Sequence, residues 1–258
     1  MAGGCRRSET LTAEAASDKG DALLRQMSKT LASAQQFTYN SEEHRQRVRG
    51  NGEKVEVVTH RQVSIRRPNR VATVTKDENH DGAAWYDGAY LTLVSNKQKA
   101  WARGPMPPTL DEAMDFLATE YSIPLPTADL LYSSPYDALM TKDTTGGWVG
   151  EEKIGAQTCD HLAYKQAEVD WELWLTQDER KLPCQIRLVY KKQPGTPWTR
   201  VTFSDFNPAA TLTDDTFTPK VPNDYERLKI MRNLTNRTAT TSQATPAAAP
   251  AAPAPGPR

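Results

Sequence analysis

Between Asp170 and Phe206 three successive segments alternate apolar and polar residues in step with one another, and few folds can accommodate them. In the first, Trp171, Leu173 and Leu175 share one face, with Asp170, Glu172, Trp174 and Thr176 on the other. In the second, Ile186, Leu188 and Tyr190 alternate with Gln185, Arg187 and Val189, and in the third Val201 and Phe203 alternate with Arg200, Thr202 and Ser204. A period of two marks half-buried strands. If they pair as an antiparallel meander, keeping every apolar residue on one side sets Trp171 opposite Leu188, Leu173 opposite Ile186, and Ile186 opposite Phe203. A slip of one residue would bury Arg187 and Glu172. The preceding segment joins through a turn near Ala167 and Glu168, which brings Leu162 against Leu173 and Tyr164 against Trp171. Trp174 is the one misfit, an indole on the wet side of its strand. An apolar sheet face of this width needs cover from helices, from a ligand, or from both.

The rest of the chain supplies more strands and little cover. Ser17 and Asp18 are candidate caps for a first helix in which Leu24, Met27, Leu31 and Ala34 form one stripe. Strand pattern follows: Phe37 to Ser41, a turn at Gly50-Asn51-Gly52, a long alternation from Val55 to Ile65, then Val71 to Lys76, Ala83 to Tyr86, Tyr90 to Val94 and Lys97 to Arg103. Prolines at 105, 107 and 108 break the pattern, and Thr109-Leu110-Asp111-Glu112 reads as a capping box for a helix carrying Met114 and Leu117. Pro124 ends that helix. Ser134-Pro135 opens a short one, and strands resume at Trp148. About eleven short strands, one helix in front and a helical insertion in the middle make an α+β protein on a large antiparallel sheet, which must curve.

Composition sets the limits of the folded body at residues 17–231. The segment 1–16 is rich in Gly, Ala and Arg, and the stretch 232–258 is largely Thr, Ala and Pro. Neither offers enough apolar surface to offset the entropy of ordering, so both are expected to be flexible, and deleting the tail from Asn236 onward should leave the melting temperature unchanged. Lys+Arg and Asp+Glu balance at 32 each. Arg45, Arg47 and Arg49 come closest to a basic run, but Glu42, Glu43 and Glu53 surround them, which argues against nucleic acid as a partner.

Chemistry-bearing motifs are missing. No G-x-S-x-G, Walker A, dinucleotide or H-E-x-x-H pattern occurs. His44, His60, His80 and His161 lie on different segments without metal-ligand spacing, and Asp160 and His161, as strand neighbours, point to opposite faces. The expectation is a protein that is not an enzyme, with no metal and no cofactor. Of the cysteines, Cys5 follows Ala-Gly-Gly as at the end of a lipoprotein signal, but the preceding apolar stretch is absent and Ala2 stands where Leu is usual. Either the start lies upstream and Cys5 carries a lipid anchor, or the match is coincidence. Cys159 and Cys184 fall on strands separated by a third, on opposite faces in the register above, so they are expected to remain free thiols.

The run Asp170-Trp-Glu-Leu-Trp-Leu, Leu182-Pro183, Val189-Tyr190 and Val201-Thr-Phe-Ser-Asp-Phe206-Asn207, followed by Thr216-Phe217, resembles the bacterial lipoprotein-carrier fold of LolA and LppX. Asp129-Leu-Leu-Tyr-Ser and Cys159-Asp-His-Leu-Ala-Tyr are similar to a family of predicted periplasmic proteins that is known only as a domain of unknown function. The resemblance covers about Asp18 to Val221. It implies an open half-barrel whose concave side is lined by helices, a periplasmic or envelope location, and a hydrophobic ligand such as an acyl chain. Because the chain lacks a visible signal and carries a long Ala/Pro tail, shuttle activity does not carry over. The alternative is an envelope interaction or stress-sensing module of the RseB type, which shares this fold and works through a protein partner.

If a ligand is held, Trp171, Leu173, Leu188, Tyr164 and Phe203 on the sheet and Leu117 and Met114 on the helix are the expected lining. They would then be separated by an apolar cleft of about 300 Å³ or more.

Overall fold

The computed structural model describes residues 11–78, 80–121 and 125–230. Met231, Cys5 and the tail 232–258 lie outside them, as do Pro124 and the expectations of acylation and tail disorder. The chain opens with α1 (Ala13–Ser33) and runs into a meander of β1 (Gln36–Val48), β2 (Lys54–Arg66), β3 (Arg70–Asp77), β4 (Asp81–Tyr86), β5 (Tyr90–Ser95) and β6 (Ala100–Pro105). Next come α2 (Leu110–Glu120) and α3 (Pro135–Leu139). A second meander follows, of β7 (Thr145–Ile154), β8 (Gln157–Lys165), β9 (Val169–Thr176), β10 (Pro183–Tyr190) and β11 (Trp198–Asn207), and then a short β12 (Glu226–Leu228). Trp198, expected from the sequence to lie in a turn, opens β11.

The two meanders join where β11 pairs with β1, giving one open sheet in the order β12-β6-β5-β4-β3-β2-β1-β11-β10-β9-β8-β7. Among the described residues it has twelve strands, one more than expected. The addition is β12, which pairs in parallel with the edge strand β6. The segment leading to it crosses the convex face, where Phe217 packs against Ala72, Trp85 and Val94 and Arg66 pairs with Asp214. A three-residue strand at the end of a polar segment has no periodicity to reveal it.

Local signals placed most elements. Thr109 and Glu112 form the capping box of α2, with the Glu112 amide donating to Thr109 Oγ1 at 3.3 Å and the Thr109 hydroxyl to Glu112 Oε2 at 2.8 Å. The first helix starts earlier than expected because Thr12, not Ser17 or Asp18, accepts from the Ala15 amide at 3.2 Å. In the second meander Trp171 faces Leu188, Leu173 faces Ile186, Leu162 faces Leu173 and Tyr164 faces Trp171, as expected. Ile186, however, faces Val201 rather than Phe203. That two-residue displacement leaves every side chain on its own face, so alternation alone could not detect it.

Two cores fill the concave side. Leu24, Met27 and Leu31 of α1 pack with Leu162, Leu173 and Ile186 of the second meander, all at most 1% exposed. Leu110, Ala113, Met114 and Leu117 of α2 pack with Phe37, Val63 and Ile65 of the first. Phe203 and Phe206 touch both cores, and the Phe206 ring stacks on Phe37 at 5.5 Å and on Tyr39 at 5.8 Å. Arg67, in the β2–β3 turn, donates to the Leu131, Tyr132 and Leu31 carbonyls at 2.9, 3.1 and 3.4 Å and ties the helices to the sheet.

Cys159 and Cys184, expected to remain free, form a disulfide with their Cα atoms 7.0 Å apart. The strand order is the expected one, with β9 between β8 and β10. The register breaks, however, between Pro183, opposite Leu175, and Gln185, opposite Trp174. Cys184 is the extra residue of this bulge, and its side chain turns to the convex face, where Cys159 lies. Trp174 packs there too, which explains its place on the wet side: it covers the disulfide, stacks on His161 at 4.2 Å and donates its indole N–H to Glu152 at 2.9 Å. Replacing both cysteines by Ala should lower stability by about 3.5 kcal/mol, the chain-entropy value for a sequence separation of 25 residues. Urea titration of the double variant checks this, and an unchanged midpoint would show that the bridge adds nothing.

Candidate functional site

The two halves of the concave face are filled unequally. Under α1, Leu173 is fully buried and Tyr164 stacks on Trp171 at 4.3 Å. Under α2 the packing leaves a cavity of about 190 Å³, walled by Val63, Val71 and Leu91 of the sheet, Met114 and Leu117 of the helix, and Met106. A second cavity, of about 280 Å³, lies beside Trp171 and Leu188 and is bounded by Asp129, Leu139, Gln166 and Tyr190. Each is smaller than the roughly 300 Å³ typical of a complete ligand pocket. They share Leu125 and Pro126 in their walls.

The sequence-derived lining residues are thus distributed over the concave face. Met114 and Leu117 line the first cavity, and Trp171 and Leu188 line the second. Leu173 and Tyr164 are packed in the core beneath α1, and Phe203 bridges the cores. Missed in the sequence were the sheet residues opposite α2, among them Tyr39, Val63 and Val71. Their signal lies in the alternation of β1, β2 and β3, which carry fewer aromatic residues than the strands of the second meander.

Along β1 the concave face changes character. Phe37 and Tyr39 are followed by Ser41, Glu43, Arg45 and Arg47, so one end of the face is apolar and the other charged. Glu43 is only 3% exposed, yet it is held by two guanidiniums, Arg45 from its own strand and Arg61 from β2. Glu43 and Arg61 border the cavity under α2, and all three residues border a polar mouth of about 350 Å³ that is lined also by Arg47, Thr59, Thr75 and His80. Burial pushes the Tyr39 phenol up to about 12, so it stays neutral at any ordinary pH.

Asp129 faces the second cavity, and burial raises its carboxyl from the ordinary value to about 6. A folded-state pKa above the unfolded value means that the ionised form opposes folding: the penalty is complete above the folded pKa and vanishes as pH falls below the unfolded one. Asp129→Asn should therefore raise the melting temperature near neutral pH and leave it unchanged at about pH 3. An equal gain at both pH values would show that the charge is not the cause.

Among the described residues no group of three or more His, Cys, Asp and Glu side chains could hold a metal ion. His44 lies between Glu42 and Glu56, and its imidazole pKa is raised mainly by the hydrogen bond with Glu56. His161 lies between Glu152 and Glu172. No helix among the described residues is long and apolar enough to cross a membrane.

A large open sheet, antiparallel but for β12, that carries helices on one face with apolar space left beneath one of them defines the class as α+β. A family model described as a predicted periplasmic protein, DUF2092, matches residues 20–231, and the chain belongs to that family. Among solved structures it is similar to the lipoprotein LppX of Mycobacterium tuberculosis, at 11% identity over 75% of this chain and 97% of that one, with a TM-score of 0.48. It is also similar to a LolA superfamily protein of Nitrosomonas europaea, at 13% identity over 81% and 99% of the two chains and a TM-score of 0.39. A third likeness is to the MucA/MucB complex of Pseudomonas aeruginosa, at 13% identity over 78% of this chain and 61% of that one, with a TM-score of 0.44. No curated protein matches the chain.

Proposed function

We propose that the protein is a non-enzymatic binder of a hydrophobic ligand, an acyl chain, held on the concave face beneath α2. The observation that carries this reading is the incomplete packing there. Apolar side chains of the sheet and of α2 face one another across a space of about 190 Å³, whereas the second cavity, beside Trp171, is bounded in part by the polar Asp129 and Gln166, and directly beneath α1 four apolar side chains of that helix fill the core. Empty apolar space costs stability, and a ligand that fills it recovers the contacts. The domain reading that accompanies this proposal is a single carrier-like body.

Titration with a fluorescent fatty acid tests it. The wild-type protein should bind saturably with a stoichiometry of one, and Ala84→Phe, which places a ring in the wall shared by the cavity and its mouth, should abolish binding while the fold persists by circular dichroism. Absence of saturable binding in the wild type would leave the interior as packed core, and the interaction-module alternative, acting through an envelope protein partner, would take its place.

A further inference from the structure

We propose that the ligand is a single-chain amphiphile with an anionic head group, its tail beneath α2 and its head in the mouth formed by Arg45, Arg47 and Arg61. This rests on the acyl-binding reading of the same site and adds the chemistry of the polar end.

Three observations converge. The first is space: the apolar cavity, at about 190 Å³, opens towards the mouth through the shared residues Glu43, Arg61, Ala84, Leu93 and Leu125. A long chain seated beneath α2 therefore has its far end in that mouth. The second is charge. Three guanidiniums line the mouth region, from Arg45, Arg47 and Arg61, against the carboxylates of Glu43 and Asp81. Glu43 is shared between Arg45 and Arg61, so the trio is one positive charge in excess, while Asp81 accepts from Asn96 at 2.7 Å. Arg47 has no ion pair among the described residues. The third is burial. Arg45 and Arg61 are about a quarter exposed, at 22% and 31% of their side chains, and Arg61 lines the apolar cavity itself. A partly desolvated guanidinium with spare donors, set at the end of an apolar hole, suits a carboxylate or a monoester phosphate and disfavours a neutral polar head.

The test is competition against a bound fluorescent fatty acid by three ligands with the same twelve-carbon chain: laurate, dodecyl phosphate and dodecanol. With wild-type protein the two anions should compete at least about tenfold better than the alcohol, as charge-assisted hydrogen bonds predict, and the preference should shrink as salt is raised. In Arg61→Gln the anions should fall to within about twofold of dodecanol measured on the same variant. Arg47→Gln, at an exposed position that does not threaten the fold, should narrow the preference in the same sense, so a failure of Arg61→Gln to fold leaves the test standing. Dodecanol competing as well as laurate against wild-type protein would overturn the head-group assignment and leave the acyl reading intact. If no twelve-carbon ligand competes and the fluorescent fatty acid itself does not bind, the acyl reading fails and this inference with it.

Discussion

Trp171→Ala should lower the free energy of unfolding by about 3–5 kcal/mol, the range for truncating an aromatic side chain in a closed core. From the sequence a smaller loss is expected, about 3 kcal/mol or less, because a cavity-lining ring leaves less new void behind. The surroundings of Trp171 decide for the larger value. The side chain is 3% exposed, stacks on Tyr164 at 4.3 Å and belongs to the core beneath α1, with the second cavity on one side of it. Its indole nitrogen has no hydrogen-bond partner among the described residues, so Trp171→Phe should retain most of the stability by keeping the ring contacts. Urea denaturation of the two variants measures both effects. A loss near 1 kcal/mol for the alanine variant would mean that the site collapses around the deletion or that the ring already faces open space.

Gly147→Val should cost about 3 kcal/mol or more and release α1 from the sheet. The helix crosses β7 at a point where Gly20 and Gly147 face each other. A Cβ at Gly147 would lie 2.4 Å from the Ala16 carbonyl oxygen, and one at Gly20 would lie 2.8 Å from the Gly147 Cα. Both obstacles are backbone, so relief requires the helix to move away from the sheet. The nearby Lys19 ammonium stands 3.3 Å from the centre of the Trp148 ring, and that contact would break with the displacement. Hydrogen exchange should then show α1 amides losing protection before those of β8 to β10. Full protection of α1 in a folded Gly147→Val protein would exclude this account of the crossing.

How far the sequence foretold these features follows from the physics of each signal. The strands of the second meander were legible because their period of two is reinforced by large apolar residues, and the pairings of Leu162, Tyr164, Trp171 and Leu173 follow from face matching. The disulfide was not legible: a single inserted residue at Cys184 inverts a side chain without disturbing the alternation on either side of it. The division of the concave face into two cores was hidden for a related reason. Periodicity says which face a residue takes, but not which helix covers it, so Leu117 and Met114 were paired in expectation with Trp171, whereas α1 covers the Trp171 half and α2 the Tyr39 half. Arg45 and Arg47 were read as a basic run diluted by glutamates. Only the register of β1 with β2 shows that Arg61 joins them around Glu43, because Ser41 lies opposite Arg61 and Glu43 opposite Thr59.

Native mass spectrometry of the protein produced in a bacterial periplasm tests acyl-chain binding most directly, since it reports bound lipid without a probe. The wild-type protein should carry, or take up from added laurate, one acyl ligand per chain, and Ala84→Phe should carry none. Wild-type protein that appears only at its own mass, before and after addition of laurate, would contradict the proposal.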